Sequence, residues 1–178
     1  MMTKSLLCGV ALTAALSQSA LAGFPLEVGQ FDFCFEPYDN CEEKLVDFIN
    51  SAQERIDIAI YELDDRAVFK AIKAKFKENK IEIRLVVDSE KASGKKSLVS
   101  ELADMGVKIR FGKQKGHMHN KFTIVDRKTV QLGSSNYAEH SFSRNQENMT
   151  YSSHPELVSQ YVDYYQKLWK SSDPYSAK

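Results

Sequence analysis

The stretch RIDIAIYELDDRAVFKAIKAKFKENKIEIRLVVD (residues 55–88) has the pattern of a strand, a helix and a second strand. Its two ends are short apolar runs rich in β-branched residues, which is typical of buried strands. Between them, four apolar residues recur at helical spacing: Val68, Phe69, Ile72 and Phe76. A helix between two strands makes a connection long enough to cross over the sheet, so this stretch predicts two parallel strands with a helix packed on one face.

The same alternation continues in both directions. Before it, FDFCF (31–35) predicts a strand, and Leu45 to Ala52 has helical spacing. After it, Leu98, Leu102 and Met105 indicate another helix, and VKIRF (107–111) another strand. These units predict an α/β fold with a largely parallel sheet and helices on both faces.

The rhythm changes after residue 117. KFTIV (121–125) and TVQLG (129–133) are separated by three residues, too few for a crossover, so they should form an antiparallel hairpin. Residues 137–145 are expected to be a loop, residues 146–152 a final strand, and the segment after Pro155 a helix whose apolar and aromatic stripe packs on the core. The prediction is therefore a mixed, largely parallel sheet with a C-terminal antiparallel hairpin.

The first 22 residues have the pattern of a secretory signal. Lys4 precedes an apolar run from Leu6 to Leu16, and Ala20-Leu21-Ala22 precedes the expected cleavage before Gly23. The run falls short of a membrane span, although an uncleaved anchor is the alternative. We therefore expect a single domain over 23–178, periplasmic or secreted, with no stable membrane association after cleavage.

Cysteine usage agrees with export. The chain has three cysteines, and removal of the signal takes Cys8 and leaves Cys34 and Cys41, which can pair. Two free buried thiols are the alternative, but they are less common in an oxidising compartment. We predict a Cys34–Cys41 disulfide, and the pair has too few neighbouring ligands to indicate zinc.

Charge is balanced overall and uneven locally. The chain has 24 basic and 24 acidic residues, so its net charge indicates no particular partner. Residues 108–128 hold seven basic residues against Asp126 alone, namely Lys108, Arg110, Lys113, Lys115, Lys121, Arg127 and Lys128. Such a cluster can attract a polyanion or can be a solvated face.

The hairpin region, HMHNKFTIVDRKTVQLGSSN (117–136), carries the candidate chemistry. In an extended strand His119 and Lys121 share a face, and the ammonium disfavours a charged imidazole beside it. Asp126 is an odd number of residues from His119 and Lys121, so it does not share their face of the strand, and it lies at the turn. Both features suit a structural role. Antiparallel pairing brings the segment 133–136 back beside His119, so that hydroxyl, amide and backbone donors converge with the lysine. A phosphoryl group that gains charge in a transition state needs such donors.

The order His119-x-Lys121-x4-Asp126-x6-Gly133-Ser134-x-Asn136 resembles the signature of the phospholipase D superfamily. Further segments extend the resemblance over nearly all of the expected mature chain: FCFEP, IDIAIYEL, EIRLVVD, NQEN (145–148) and the C-terminal Tyr/Trp-rich helix. The chain looks most like the small, single-motif, Nuc-type bacterial endonucleases. The resemblance implies a phospholipase D-like nuclease domain forming half of an α/β/α sandwich. Arg127 departs from the glycine of many members, so we expect a different hairpin turn, at a position on which nothing catalytic depends.

The resemblance implies two in-line displacements at phosphorus without a metal ion or other cofactor. His119 would form a phosphohistidine, while Lys121 and Asn136 bind phosphate oxygens, Ser134 supports that pocket, and Glu147 orients His119. The motif also places Asp126 in the catalytic set. A second histidine must face the first, and His117, His140 and His154 are poor candidates. A homodimer with two copies of His119 at its two-fold axis supplies one.

The motif leaves the substrate open. The basic stretch, the compact domain and the expected export favour a low-specificity endonuclease acting on DNA, or on RNA. The first alternative is a phospholipase D-type lipid phosphodiesterase that uses the same residues. A second alternative, an inactive nucleic-acid-binding module, is disfavoured because every reactive position of the motif is present.

Overall fold

A computed structural model of the protein describes residues 24–78, 81–112 and 116–176. The predicted signal lies outside these ranges, so its cleavage stays a prediction. In the described part, no helix combines the length and the hydrophobicity needed to cross a membrane. The elements in chain order are β1 (Phe31–Glu36), α1 (Cys41–Asn50), β2 (Arg55–Ile60), α2 (Arg66–Lys77), β3 (Glu82–Val87), α3 (Ser89–Ala92), α4 (Val99–Asp104), β4 (Lys108–Phe111), β5 (Lys121–Val125), β6 (Thr129–Gly133), α5 (Glu139–Ser143), β7 (Glu147–Ser152), α6 (Pro155–Ser171) and β8 (Asp173–Pro174).

The described strands form one eight-stranded sheet in the order β1-β7-β6-β5-β2-β3-β4-β8. The sheet is mixed, as predicted, but it is not largely parallel: only β2–β3 and β3–β4 pair in parallel in the described part, and the other five pairings are antiparallel. The expectation was wrong because strand-helix-strand spacing shows only that a connection can cross the sheet. It does not show which strand lies beside β1, and that strand is β7.

Helices cover both faces, as predicted. On one face α1 and α2 pack on the sheet around Leu45, Phe48 and Ile72, and on the other α6 packs through Val158, Tyr165 and Leu168. Within β5, Phe122 and Ile124 belong to the α6 side. The short helix α5 falls inside the segment 137–145 that the sequence indicated as a loop, because five residues are too few to show a helical period.

The predicted disulfide and the predicted hairpin are both present. Cys34 on β1 is disulfide-bonded to Cys41, the first residue of α1, and both are buried. The β5–β6 hairpin pairs Val125 with Thr129, which leaves residues 126–128 as its turn. Asp126 and Arg127 have positive φ angles of 53° and 55°, so the arginine adopts the left-handed conformation for which glycine is usual.

Candidate active site

The candidate site lies at one end of the central strands of the sheet, where three segments meet. The parallel strands β2 and β3 end there at Ile60 and Val87, and β5 begins there, because Ile60 lies opposite Lys121 in the antiparallel pairing. The residues that follow β2 and β3 therefore face the segment that carries His119. Ligand sites in open α/β sheets commonly form beyond the carboxyl ends of parallel strands.

His119 and Lys121 form the centre of the site. The Lys121 Nζ atom lies 3.2 Å from Nδ1 and 3.4 Å from Nε2 of His119, and it donates a hydrogen bond of 3.2 Å to the His119 carbonyl oxygen. The ring of Tyr61, the first residue after β2, lies 4.5 Å from the His119 ring between centroids and 5.2 Å from Lys121 Nζ. The predicted sharing of one face by His119 and Lys121 is therefore present in the structure.

The surroundings of His119 favour the neutral form of its imidazole. Burial lowers the pKa of His119 first, and the positive charge of Lys121 and the neighbouring His117 lower it further. Burial also lowers the pKa of Lys121, although the carboxylates of Glu147 and Glu62 oppose that shift. A neutral imidazole has a free ring nitrogen, which is the form that can attack a phosphorus atom or accept a proton.

Asp88, which sequence reasoning missed, anchors the segment before β5. It directly follows β3, caps α3 through the backbone N–H groups of Glu90 and Lys91, and accepts a hydrogen bond of 3.0 Å from the Met118 N–H. His117 Nδ1 lies 3.5 Å from Asp88 Oδ2. The position of Asp88 at the carboxyl end of a buried strand was a usable signal, and so was that of Tyr61 after β2.

The structure groups Glu147 with Ser134 rather than with His119. The Ser134 hydroxyl donates to Glu147 Oε2, the Asn145 side chain donates to Glu147 Oε1 at 2.9 Å, and the Asn148 N–H donates to Ser134 Oγ at 3.0 Å. Among the residues that the structure describes, no hydrogen bond joins Glu147 to His119. The expected contact is thus not formed within one chain, although the Glu147 carboxylate is near enough to oppose the lowering of the Lys121 pKa by burial.

Asn136 lies in the segment that follows β6. Its carboxamide oxygen is buried and has no hydrogen-bond partner among the described residues. A buried polar atom without a partner is costly and often marks a functional site. Asn136 directly precedes Tyr137, which hydrogen-bonds to the Glu62 carbonyl oxygen and so lies beside the segment that follows β2.

Asp126 is a structural residue in this fold. Its Oδ1 atom accepts hydrogen bonds from the backbone N–H groups of Glu54 at 2.8 Å and Arg55 at 2.9 Å, and Oδ2 accepts one from Gln53 at 2.9 Å. These bonds tie the hairpin turn to the start of β2. The turn is at the opposite end of β5 from His119, so Asp126 lies away from the site and its placement in the catalytic set is not supported by the geometry.

We expect Asp126→Ala to lower the free energy of unfolding by about 2–3 kcal/mol, because three backbone donors lose a charged acceptor. Asp126→Asn should cost about 1 kcal/mol, since it keeps one oxygen acceptor. Urea unfolding followed by circular dichroism measures both values. If Asp126→Asn were fully stable but had lost most catalytic activity, a direct part in the chemistry would replace this structural role.

Gly133 is required where β6 meets β7. A Cβ atom at this position would lie 2.0 Å from the backbone oxygen of Asn148 and 3.1 Å from the Cα of Met149. Neither atom belongs to a flexible side chain, so a larger residue must displace β7. Glu147 on β7 would move with it.

For Gly133→Ala we predict a loss of stability of about 1–3 kcal/mol and a fall in activity of about 10²-fold, because the Ser134–Glu147 pair shifts relative to Lys121. Thermal unfolding and initial rates measure the two effects. Gly94→Ala is the matched control, since its added Cβ meets only a backbone oxygen at 3.1 Å. Equal behaviour of the two variants would contradict the prediction.

The members of the basic stretch that the structure describes are spread over the fold and do not gather at the site. Lys108 pairs with Glu82 at 3.1 Å, and Arg110 donates to the Trp169 carbonyl oxygen at 2.8 Å. Arg127 and Lys128 lie at the hairpin turn, and Lys113 and Lys115 lie outside the described residues. Lys121 is therefore the one member of the stretch that the described part places at the site.

A cavity of about 450 Å³ opens beside His119 and Lys121 on the α6 side of the sheet. Leu132 and Gly133 form part of its lining, and Tyr161 and Tyr164 of α6 form another part. The Asn120 side chain donates a hydrogen bond of 3.1 Å to the Tyr164 hydroxyl, which links α6 to the segment that carries His119. The site thus has open space with polar and apolar walls on this side.

Comparisons with known proteins agree with this geometry. A family described as "Cardiolipin synthase, PLD-like domain" matches residues 45–169. Among curated proteins, the chain is 28% identical over 136 residues to a mitochondrial cardiolipin hydrolase of Danio rerio (76% of this chain, 60% of that protein). It is 26% identical over 160 residues to a phospholipase D of Rickettsia conorii (84% and 80%). The chain spans only 56–64% of the first mitochondrial relatives that it matches.

Solved structures give the same result. The fold superimposes on Nuc from Salmonella typhimurium, described as a phospholipase D family member, with a TM-score of 0.77 and 23% identity over 83% of this chain and 99% of that one. It superimposes on NucT from Helicobacter pylori with a TM-score of 0.76 and 28% identity over 82% and 99%. From the family match and these likenesses together, the chain belongs to the phospholipase D superfamily and has the Nuc-type form of its fold.

Proposed function

We propose that the protein is a metal-independent phosphodiesterase that acts as a low-specificity endonuclease on DNA, with RNA as the alternative nucleic-acid substrate. The observation that carries this proposal is the contact of the Lys121 ammonium with the His119 imidazole, 3.2 Å and 3.4 Å from its two ring nitrogens. It supplies a neutral nucleophile and a cation for a phosphate oxygen at the same point. The likeness to Nuc and NucT supports the assignment.

The reaction would proceed in two displacements. A ring nitrogen of His119 attacks the phosphorus of a phosphodiester and forms an N–P bond, while the bond to the leaving oxygen breaks and that oxygen takes a proton from a second imidazole. The second imidazole then removes a proton from water, which attacks the phosphorus and breaks the N–P bond. Lys121 holds a nonbridging oxygen as charge develops during both steps.

The second imidazole must lie on the far side of the phosphorus, because attack and departure are in line. His117 contacts Asp88 and lies on the same segment as His119, so it would approach the phosphorus from the same side as His119. We therefore place two copies of His119, one from each subunit of a homodimer, about a two-fold axis. Each subunit alone would hold half of a site.

A lipid phosphodiesterase is the second candidate, and a specific observation favours keeping it. The cavity beside His119 is lined by Leu132, Phe122 and Tyr161 as well as by polar groups. An apolar wall of this kind fits an acyl or glycerol moiety better than a second phosphate. The curated relatives include proteins named cardiolipin hydrolase and phospholipase D.

One experiment separates the candidates. The purified protein is incubated with plasmid DNA, RNA and labelled phospholipid vesicles, each with excess EDTA and beside a His119→Ala control. Cleavage of DNA that survives chelation supports the proposal, and release of phosphatidic acid without DNA cleavage supports the lipid candidate. Loss of all activity on chelation would rule out the metal-independent mechanism.

A further inference from the structure

The edge strand β1 carries a row of exposed aromatic rings. Phe31, Phe33 and Phe35 are each 50% exposed, and the rings of Phe33 and Phe35 lie nearly parallel with centroids 6.4 Å apart. We call these three residues the phenylalanine ladder. Half-exposed, they leave roughly 300 Å² of aromatic surface in contact with water, on the order of the largest apolar patch of a typical monomer.

The ladder faces the same side of the sheet as α6. Cys34, between two of its members, points to the other side, where it is bonded to α1. Phe33 lies directly opposite Thr150 on β7, Thr150 opposite Leu132 on β6, and Leu132 packs against the α6 cluster. Paired residues in neighbouring strands point to the same side, so the ladder continues the surface on which α6 lies.

Helix α6 leaves this part of the sheet uncovered. It begins beside β1, where the ring of His154 lies 6.1 Å from Phe31. It then crosses towards β3 and β4, where the Tyr165 hydroxyl donates a hydrogen bond to the Arg84 carbonyl oxygen and the Arg110 side chain donates one to the Trp169 carbonyl oxygen. The helix therefore diverges from β1 along its length. The part of the sheet that α6 leaves uncovered widens towards the strand ends at which the site lies.

The exposed edge of β1 is closed to a further strand. The Phe33 N–H is bonded to Asp32 and its carbonyl oxygen to Lys44 Nζ at 2.8 Å. The Phe35 N–H is bonded to Asp39 Oδ2 at 2.9 Å, and its carbonyl oxygen accepts from the Tyr38 and Asp39 N–H groups. Side chains and a local turn thus satisfy the groups that strand addition would need. A partner must contact the aromatic rings instead.

The chemistry of this surface fits protein rather than a polyanion. The β7 residues opposite the ladder are Ser152, Thr150 and Asn148, all neutral, and nucleic-acid surfaces rely on lysine and arginine. The same side of the molecule carries a complementary apolar surface on α6. Tyr161 is partly exposed and Tyr164 is 43% exposed, and both line the cavity beside His119. Leu157, one turn before Tyr161, is also partly exposed. We call these three residues the α6 flank.

We propose that the phenylalanine ladder of one copy of this chain packs against the α6 flank of a second copy, twice around a two-fold axis. In such an interface the ladder of each copy contacts the α6 flank of the other copy. Two ladders and two flanks would form the apolar core of an interface of the standard size, about 1,600 Å². The inference rests on the proposed function, because Tyr161 and Tyr164 of the α6 flank line the cavity beside His119, so this contact lies next to the site that two copies would share.

The test compares Phe33→Asp with Val28→Asp by sedimentation equilibrium and by plasmid cleavage across a range of protein concentrations. Val28 is 83% exposed in the turn before β1 and lies outside the ladder. The wild type and Val28→Asp should be dimers. Phe33→Asp should raise the dimer dissociation constant at least about 30-fold, as expected for a buried aromatic anchor, and its specific activity should rise with concentration. Circular dichroism of Phe33→Asp and a second variant, Phe35→Ser, guard against a folding defect.

The outcomes separate this surface from the proposed function. If Phe33→Asp and Phe35→Ser dimerise like the wild type, the ladder is not the interface, although a shared site could still form elsewhere. A wild type that is fully active as a monomer overturns both proposals. A dimer that depends on Phe33 but cleaves no phosphodiester supports the surface and overturns the function. If both variants lose only binding to phospholipid vesicles, the ladder contacts lipid and the proposal fails.

Discussion

His119→Ala should reduce phosphodiester cleavage by about 10⁴- to 10⁶-fold, which is the range seen when a covalent nucleophile is removed. In the proposed mechanism the imidazole forms the bond to phosphorus, and Lys121 without it can only bind the phosphate. A reaction with ³²P-labelled substrate, stopped rapidly without acid, should leave the label bound to the wild-type protein. The variant should carry no label. A labelled His119→Ala protein would place the nucleophile elsewhere.

His117→Ala is the matched control for this prediction. It removes an imidazole two residues away and loosens a contact to Asp88, so it should reduce activity far less than His119→Ala does. A loss as large as that of His119→Ala would show that the second imidazole comes from the same chain. It would contradict a site shared between two copies.

The activity of mixed dimers gives a quantitative test of a site shared between two subunits. If each site needs His119 from both copies, a mixed dimer of wild type and His119→Ala is inactive. After subunit exchange in an equal mixture, about a quarter of the dimers are wild type on both sides, so activity should fall to about half of what the same amount of wild-type protein gives alone. Unchanged activity would mean that each subunit works by itself.

The sequence predicted the local elements of this site better than their arrangement. The hairpin, the common face of His119 and Lys121 and the structural role of Asp126 follow from strand parity and turn length, which are local properties. The parity argument even separated Asp126 from the reactive pair. A motif alone groups the three residues together.

Long-range pairing was the part that local patterns could not supply. The position of β1 beside β7 depends on residues more than a hundred positions apart, and nothing in either strand names its neighbour. The same limit applies to Glu147, whose carboxylate meets Ser134 rather than His119 within the chain. Asp88 was missed because its role depends on Met118, thirty residues away.

The pH dependence of Lys121 variants tests the electrostatics of the site. Burial and then the Lys121 charge lower the pKa of His119. Catalysis by two identical imidazoles needs one neutral and one protonated, so the rate should follow a bell-shaped curve whose two limbs belong to the pair. Removal of the neighbouring positive charge raises the pKa of both imidazoles. Both limbs should therefore move to higher pH.

Lys121→Met should accordingly lower kcat/KM by about 10²- to 10³-fold, because the phosphate loses its charged donor, and should shift the whole profile to higher pH. Lys121→Arg keeps the charge but not the compact ammonium that contacts both ring nitrogens. It should therefore lose activity while the profile stays in place. An unshifted profile in Lys121→Met would show that burial alone sets the pKa of His119, and Lys121 would then act only on the phosphate.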